Sequence, residues 1–102
     1  MTEMDLLRTI RLELSKLGFC VFRINSGKIK MSDERWFDTG VPKGFSDLLA
    51  IKDGKAYFIE VKTETGRASQ EQLKFIEVMR ERYGCKAGIA RSVDDAKKIV
   101  FS

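Results

Sequence analysis

The stretch FSDLLAIKDGKAYFIEVK, residues 45–62, constrains the fold most, because it places Asp53-Gly54 between two apolar runs. This combination predicts a β-hairpin with a two-residue type I′ turn. If Asp53 and Gly54 form the loop, Lys52 pairs with Lys55. Each further pair lies one residue back along the first strand and one residue forward along the second, so the two residue numbers of a pair always add up to the same total. The turn therefore sets the register of the whole hairpin.

This register predicts that Asp47 and Glu60 face each other, with Cβ atoms about 4.5–5.5 Å apart. Lys62 follows two residues after Glu60 and so points to the same face. Directly opposed like charges destabilise a sheet, so a compensating group is expected. It is either a divalent cation, which one or two carboxylates can hold, or Lys62 as an ion-pair partner. A β-bulge would instead move Asp47 to the other face.

Helical periodicity occurs at three places in the chain. Residues 2–17 form an apolar stripe that includes Glu3, whereas Glu13 lies at its edge. Thr2 is the predicted N-cap of this helix, and Ser69 with Gln72 predicts a capping box for a second helix. The predicted helices span residues 2–17, 69–83 and about 92–100.

Extended patterns lie between these helices. Besides the hairpin, strands are predicted at residues 19–25 and 86–91. Residues 26–44 show no clean period and are predicted to form a long loop. The order is αβββαβα, which indicates one mixed α/β domain over residues 1–102.

Composition narrows the possible chemistry. The chain contains no histidine, which excludes histidine bases, histidine metal ligands and serine-type triads. Catalysis must therefore use carboxylates, lysine, backbone groups or a metal held by oxygen atoms. The net charge of +4 suits a polyanionic partner, but only weakly. No apolar run approaches the ~20 residues of a membrane span, and we expect a cytoplasmic protein without a membrane partner.

The hairpin resembles the D…ExK core of the PD-(D/E)XK nuclease superfamily. Together with FRINSGK, GVPKGFSDLLAI, FIEVKTETGRASQEQLKFI, Gly84 and ARSVDDA, nearly the whole chain resembles the VRR-NUC family. The resemblance implies a restriction-endonuclease-like core, in which a mixed β-sheet is flanked by helices. In one departure, Ser46 stands where the family usually has proline. Proline there contributes backbone shape rather than chemistry, so we expect activity to be retained.

The resemblance also implies the roles of individual residues. The implied metal ligands for Mg²⁺ or Mn²⁺ are Asp47, Glu60, the carbonyl of Val61 and Glu3. The implied catalytic residues are Lys62, Asp47, Glu60 and Gln72. Lys62 would orient a water molecule and stabilise charge on the phosphate. Gln72 would lie near the site, although the capping box alone could account for it, and Glu13 is the weaker alternative to Glu3.

The implied activity is that of a metal-dependent, structure-selective DNA endonuclease. Stand-alone family members of phage or bacterial type suggest a homodimer, in a bacterial host cytoplasm if phage-encoded, acting on branched DNA such as Holliday junctions. The basic loop and the strand before it would contact phosphates through Arg23, Asn25, Lys28, Lys30, Arg35 and Lys43. Trp36 could stack on an unpaired base or be a core or dimer contact.

Other functions remain open at this point. The protein could be a nuclease that acts on flaps, nicks or single strands. It could also be a DNA-binding module without turnover, or an α/β interaction subunit whose hairpin charges are plain ion pairs.

Overall fold

The computed structural model describes residues 1–102. Three helices and six strands follow one another as α1 (Glu3–Lys16), β1 (Cys20–Arg23), β2 (Lys28–Lys30), β3 (Trp36–Asp38), β4 (Leu48–Lys52), β5 (Lys55–Val61), α2 (Gln70–Glu81), β6 (Lys86–Ala90) and α3 (Val93–Phe101). The main sheet has the order β1-β4-β5-β6. It is mixed, because β5 and β6 are parallel whereas the other neighbours are antiparallel.

The predicted order αβββαβα is confirmed for the main sheet and its helices. The structure adds a two-stranded hairpin, β2–β3, within the segment 26–44 that the sequence predicted to be a loop. The prediction failed there because each strand has only three residues and all six are exposed. Burial on one face is what normally produces a readable alternation in the sequence.

The turn prediction is confirmed. Asp53 and Gly54 both have positive φ, at 52° and 74°, as a type I′ turn requires. The ladder runs without a bulge from Lys52–Lys55 to Leu48–Ile59. Asp47 is the residue directly before β4, so the unbroken register brings it to the end of β5 that carries Glu60.

Helices α1 and α3 cover one face of the sheet. The α1 side chains in this core are Leu6, Leu7, Ile10 and Leu14. The predicted stripe is therefore correct in its centre and wrong at its ends, where Glu3 and Leu17 are exposed. Leu17 is the C-cap and has left the helical conformation, with ψ at 5°, so helical spacing does not set its direction.

Helix α2 packs on the opposite face, over β5 and β6. Ile76 is buried there with Phe58 and Ala87. Leu73, three residues before Ile76 on the same helix, is 50% exposed. Phe75 fills that space instead, with its ring centroid 4.5 Å from that of Phe45.

The segment before the hairpin is packed against the beginning of α2. Gly44 is buried and has φ of 96°, and a Cβ atom added there would lie 2.7 Å from the backbone of Glu71. Only glycine fits this close approach with this backbone conformation. The contact fixes the chain three residues before Asp47.

None of the helices is both long and apolar enough to cross a membrane.

Candidate active site

The candidate site residues lie at the open end of the hairpin, opposite its turn. Strands β5 and β6 are parallel and end together at Val61 and Ala90. Asp47 joins the two strands of the hairpin at this edge: its Oδ2 atom accepts a 2.9 Å hydrogen bond from the Val61 N–H. Its carbonyl also accepts a 2.8 Å hydrogen bond from the Ile24 N–H, which fixes its backbone.

Glu60 is the most deeply buried acid of this site, with 1% of its surface exposed. Its Oε1 atom accepts a 3.0 Å hydrogen bond from Nε2 of Gln72 and lies 4.0 Å from Nζ of Lys62. Its Oε2 atom is buried and has no hydrogen-bond partner. Because a buried polar atom without a partner is costly, this oxygen marks a place built for a further ligand.

The environment of Glu60 favours its protonated form. Burial, followed by the neighbouring Asp47 carboxylate, raises the pKa of Glu60 from 4.5 to about 9. Lys62 lowers this pKa, and Glu3 raises it further. Lys62 therefore compensates the buried acids only in part. A cation placed against Oε2 would favour the ionised carboxylate.

Lys62 continues the sheet beyond the last residue of β5. Its N–H donates a 3.1 Å hydrogen bond to the Ala90 carbonyl, and its side chain is 15% exposed. Of the two compensating groups considered from the sequence, Lys62 does contact Glu60. The contact involves only Oε1, however, so the ion pair leaves the second oxygen without a partner.

Gln72 completes the predicted capping box and also lies beside Glu60. Its Oε1 atom accepts a 2.8 Å hydrogen bond from the Ser69 N–H, which completes the capping box of α2. Its Nε2 atom is thereby turned toward Glu60. The start of α2 and the buried acid are joined through one amide side chain.

The first helix contributes Glu3 only through its charge. Glu3 is exposed in the first turn of α1, and no three acidic, cysteine or histidine side chains form a group that could hold a metal by themselves. Glu13 forms a 3.6 Å ion pair with Lys16 instead. Glu3 is thus the better candidate of the two.

The six predicted DNA contacts lie along the segment from β1 to the loop before β4, and all are exposed. Three of them form surface ion pairs: Lys30 with Glu34 at 2.7 Å, Arg35 with Asp33 at 2.7 Å, and Lys43 with Glu71 at 3.7 Å. Arg23, Asn25 and Lys28 form no ion pair. The hairpin β2–β3 contains as many acidic as basic residues from 28 to 38, so it is not a strongly basic surface.

The structure resolves one alternative for Trp36. Its side chain belongs to no core cluster and the residue is 64% exposed. The core interpretation is therefore wrong, and contact with a base or with a partner chain remains.

Two residues of the site were not singled out for a role from the sequence. Ser46 is buried, and its hydroxyl donates a 3.1 Å hydrogen bond to the Leu48 carbonyl, which shapes the chain beside Asp47. Arg91 directly follows the last residue of β6 and so lies beside Lys62. In the sequence, Arg91 could be noticed only because it follows a predicted strand. The parallel pairing of β5 with β6 is what brings this position to the edge that carries Lys62.

Comparison with known proteins identifies the domain. The family model for the VRR-NUC domain matches residues 2–94. The chain belongs to the VRR-NUC family. A solved structure described as a VRR_NUC domain shares the fold with a TM-score of 0.69 and 23% sequence identity, over 97% of this chain and 94% of the other. Among curated proteins, none matches the chain.

A second solved structure is the Holliday junction resolvase Hjc from Archaeoglobus fulgidus, an archaeal hyperthermophile. It matches with a TM-score of 0.58 and 20% identity, over 85% of this chain and 65% of the resolvase. The VRR-NUC chain thus spans slightly less than two thirds of that protein. The predicted restriction-endonuclease-like fold is confirmed, and family and fold together indicate a nuclease.

Proposed function

We propose that this VRR-NUC domain is a divalent-metal-dependent endonuclease that hydrolyses phosphodiester bonds in DNA. The observation that supports it most is the Oε2 atom of Glu60, a buried carboxylate oxygen without a partner beside a second acid and a lysine. A cation bound there would satisfy this oxygen and offset the repulsion between Asp47 and Glu60.

The donor atoms present fit Mg²⁺ or Mn²⁺. Mg²⁺ is commonly held by one or two carboxylates, with water and substrate phosphate completing its shell. Asp47, Glu60 and the Val61 carbonyl would hold the ion, and Glu3 would add negative charge from the first turn of α1. The bound ion would polarise the scissile phosphate and lower the pKa of a water molecule.

The protein's own side chains then have separate tasks. Lys62 would act as a positive charge beside the phosphate and orient the attacking water, a task that does not require it to be a base. Gln72 would hold the carboxylate of Glu60 in position through its 3.0 Å hydrogen bond. Asp47 would keep the ends of β4 and β5 together while presenting its second oxygen to the ion.

For the substrate, we propose DNA with branches, of which the four-way junction is the first to test. The support is the shared fold with a protein described as a Holliday junction resolvase. A homodimer is proposed with it, because two sites related by a two-fold axis suit a symmetric junction. Arg23, Asn25 and Lys28 are proposed as the main phosphate contacts, since they form no ion pairs within the chain.

The deciding experiment is a cleavage panel with Mg²⁺ or Mn²⁺ on a four-way junction, a flap, a fork, a nicked duplex, an intact duplex and a single strand. We expect cleavage that requires the metal, stops with EDTA and is fastest on the junction. Faster cleavage of flaps or single strands would replace the branched substrate but keep the nuclease. DNA binding without cleavage of any substrate would contradict the enzymatic assignment.

A further inference from the structure

Arg91 occupies a special place at the edge of the sheet. The parallel ladder ends with Val61 beside Ala90, and the next residues along these two strands are Lys62 and Arg91. The backbone of Arg91 is held in turn by α3, because its N–H donates a 2.9 Å hydrogen bond to Oδ2 of Asp95. The backbone of Arg91 is therefore held in place next to the proposed catalytic lysine.

The guanidinium of Arg91 holds a turn of the neighbouring loop. Its Nη1 atom donates hydrogen bonds to the carbonyl oxygens of Thr63 at 2.6 Å and Gly66 at 2.7 Å, with the Glu64 carbonyl at 3.4 Å. The same Thr63 carbonyl accepts the 3.1 Å hydrogen bond from Gly66 N–H that closes the turn. The guanidinium of an exposed arginine usually faces solvent or a carboxylate, whereas that of Arg91 donates hydrogen bonds to several backbone carbonyls of one turn.

This turn connects two parts of the active site. At its beginning it continues directly from Lys62, and at its end it leads to Ser69, the N-cap of α2. Ser69 in turn fixes Gln72, whose amide holds Glu60. A displacement of the turn would therefore move the lysine and the glutamine relative to the buried acid.

We propose that Arg91 is a positioning residue of the active site: by binding the 63–66 turn, it holds Lys62 and Gln72 in register with Glu60. The kinetic part of this inference rests on the proposed nuclease function, whereas its structural part does not. The competing roles are a direct phosphate contact and a purely structural contribution to folding.

Hydrogen exchange of the Arg91→Ala variant tests the structural part without any assay of activity. We expect the Gly66 amide to exchange about tenfold faster or more, because the turn opens locally. Amides in the ladder between β4 and β5 should keep their wild-type rates. Unchanged exchange at Gly66 would overturn the proposal, and uniformly faster exchange would show that Arg91 stabilises the whole fold instead.

Kinetics on the substrate that the wild type cleaves best test the functional part. Small misplacement of reacting groups can cost about 10²-fold in rate, so we expect kcat of Arg91→Ala to fall by about this factor while DNA affinity stays within about twofold. A weaker affinity, with a slope against log salt reduced by the ~0.9 expected for one phosphate contact, would overturn positioning in favour of a phosphate contact. If the wild type cleaves nothing, the function is wrong, and the exchange result still stands.

A matched control and a rescue complete the test. Arg82, the C-cap of α2, lies ten residues beyond Gln72 along the helix, about 15 Å away. Arg82→Ala removes the same charge and should leave kcat and Gly66 exchange unchanged. Millimolar methylguanidinium should partly restore kcat of Arg91→Ala by occupying the vacated site. A kcat that follows only the folded fraction, without rescue, would contradict the proposal.

Discussion

Each end of the β4–β5 hairpin brings together two ionisable side chains of the same kind, two lysines at the turn and two acids at the open end. The surroundings of the two pairs differ. At the turn, Lys52 pairs with Lys55, which is exposed to solvent. Nζ of Lys52 also donates a 2.9 Å hydrogen bond to the Leu17 carbonyl and lies 5.1 Å from the centre of the Phe19 ring. This positive pair is compensated locally.

At the open end, the two acids Asp47 and Glu60 lie beside the last pair of the ladder, Leu48–Ile59. Here one acid is 1% exposed, its pKa is raised to about 9 by burial and by Asp47, and one of its oxygens lacks a partner. The difference shows that opposition of like charges does not by itself mark a site. Burial without complete compensation is what makes the open end the candidate site, because water can no longer screen the charges there.

The largest expected difference between the two ends is in cleavage. Glu60→Gln should lower the metal-dependent rate by about 10³-fold or more, because transition-state stabilisation by a preorganised site is lost. Gln keeps the acceptor for Gln72, so the fold should be retained. Lys52→Ala at the turn should keep the rate within about twofold, as measured by single-turnover kinetics. Equal losses in both variants would remove the distinction between the ends.

The next effect is stabilisation by the metal. Titration with Mn²⁺ to about 100 times its dissociation constant should raise the free energy of unfolding by about 2.7 kcal/mol, measured by denaturant titration at pH 8. Lys52→Ala should show the same gain and Glu60→Gln almost none. A gain that survives in Glu60→Gln would place the ion elsewhere.

Stability should also depend on pH at the open end. Folded Glu60 keeps its proton up to about pH 9, whereas in the unfolded chain it has its ordinary pKa of 4.5. The folded state thus binds the extra proton between these values. The contribution of this bound proton to the free energy of unfolding is therefore fully present below pH 4.5 and is lost as pH rises toward 9.

Without divalent metal, we expect the free energy of unfolding to fall by up to about 1.4 kcal/mol per pH unit within this interval. Glu60→Gln should flatten the curve and be more stable than the wild type at pH 8. Denaturant titrations from pH 5 to pH 9 measure both. If the two proteins show parallel pH curves, another group controls the dependence.

The smallest effect belongs to the turn. Gly54→Ala must adopt φ of 74° with a Cβ atom, which costs about 1 kcal/mol in the left-handed region. No atom would contact the added Cβ, so the loss should appear in the melting temperature alone. A large loss of cleavage in this variant would mean that the turn also controls the geometry of the distant acids.

The elements that the sequence predicted well are those governed by neighbouring residues. Asp53-Gly54 set a turn and hence a register, and Thr2 and Ser69 each cap a helix as the spacing indicated. In each case the deciding hydrogen bond or backbone angle lies within a few residues. The hairpin β2–β3 was missed because its stabilising contacts are few and leave no periodic burial.

The site itself could be predicted only in part. The register brings Asp47, Glu60 and Lys62 to one edge, since it depends on the turn alone. The exposure of Glu3 did not follow from helical spacing, because spacing does not tell where a helix extends beyond the sheet that it covers. Trp36 was similarly ambiguous, since an aromatic residue in an aperiodic segment can be either buried or exposed.

The sequence by itself determined which charges meet at the open end of the hairpin, because the turn dictates strand pairing. Only the tertiary structure decided how deeply those side chains are buried and which groups surround them. Gln72 reaches Glu60 from a helix that begins after the hairpin, and Arg91 reaches the 63–66 turn because a crossover places β6 parallel to β5. Burial and an unpartnered oxygen are properties of what packs around a residue, and distant parts of the chain supply that packing.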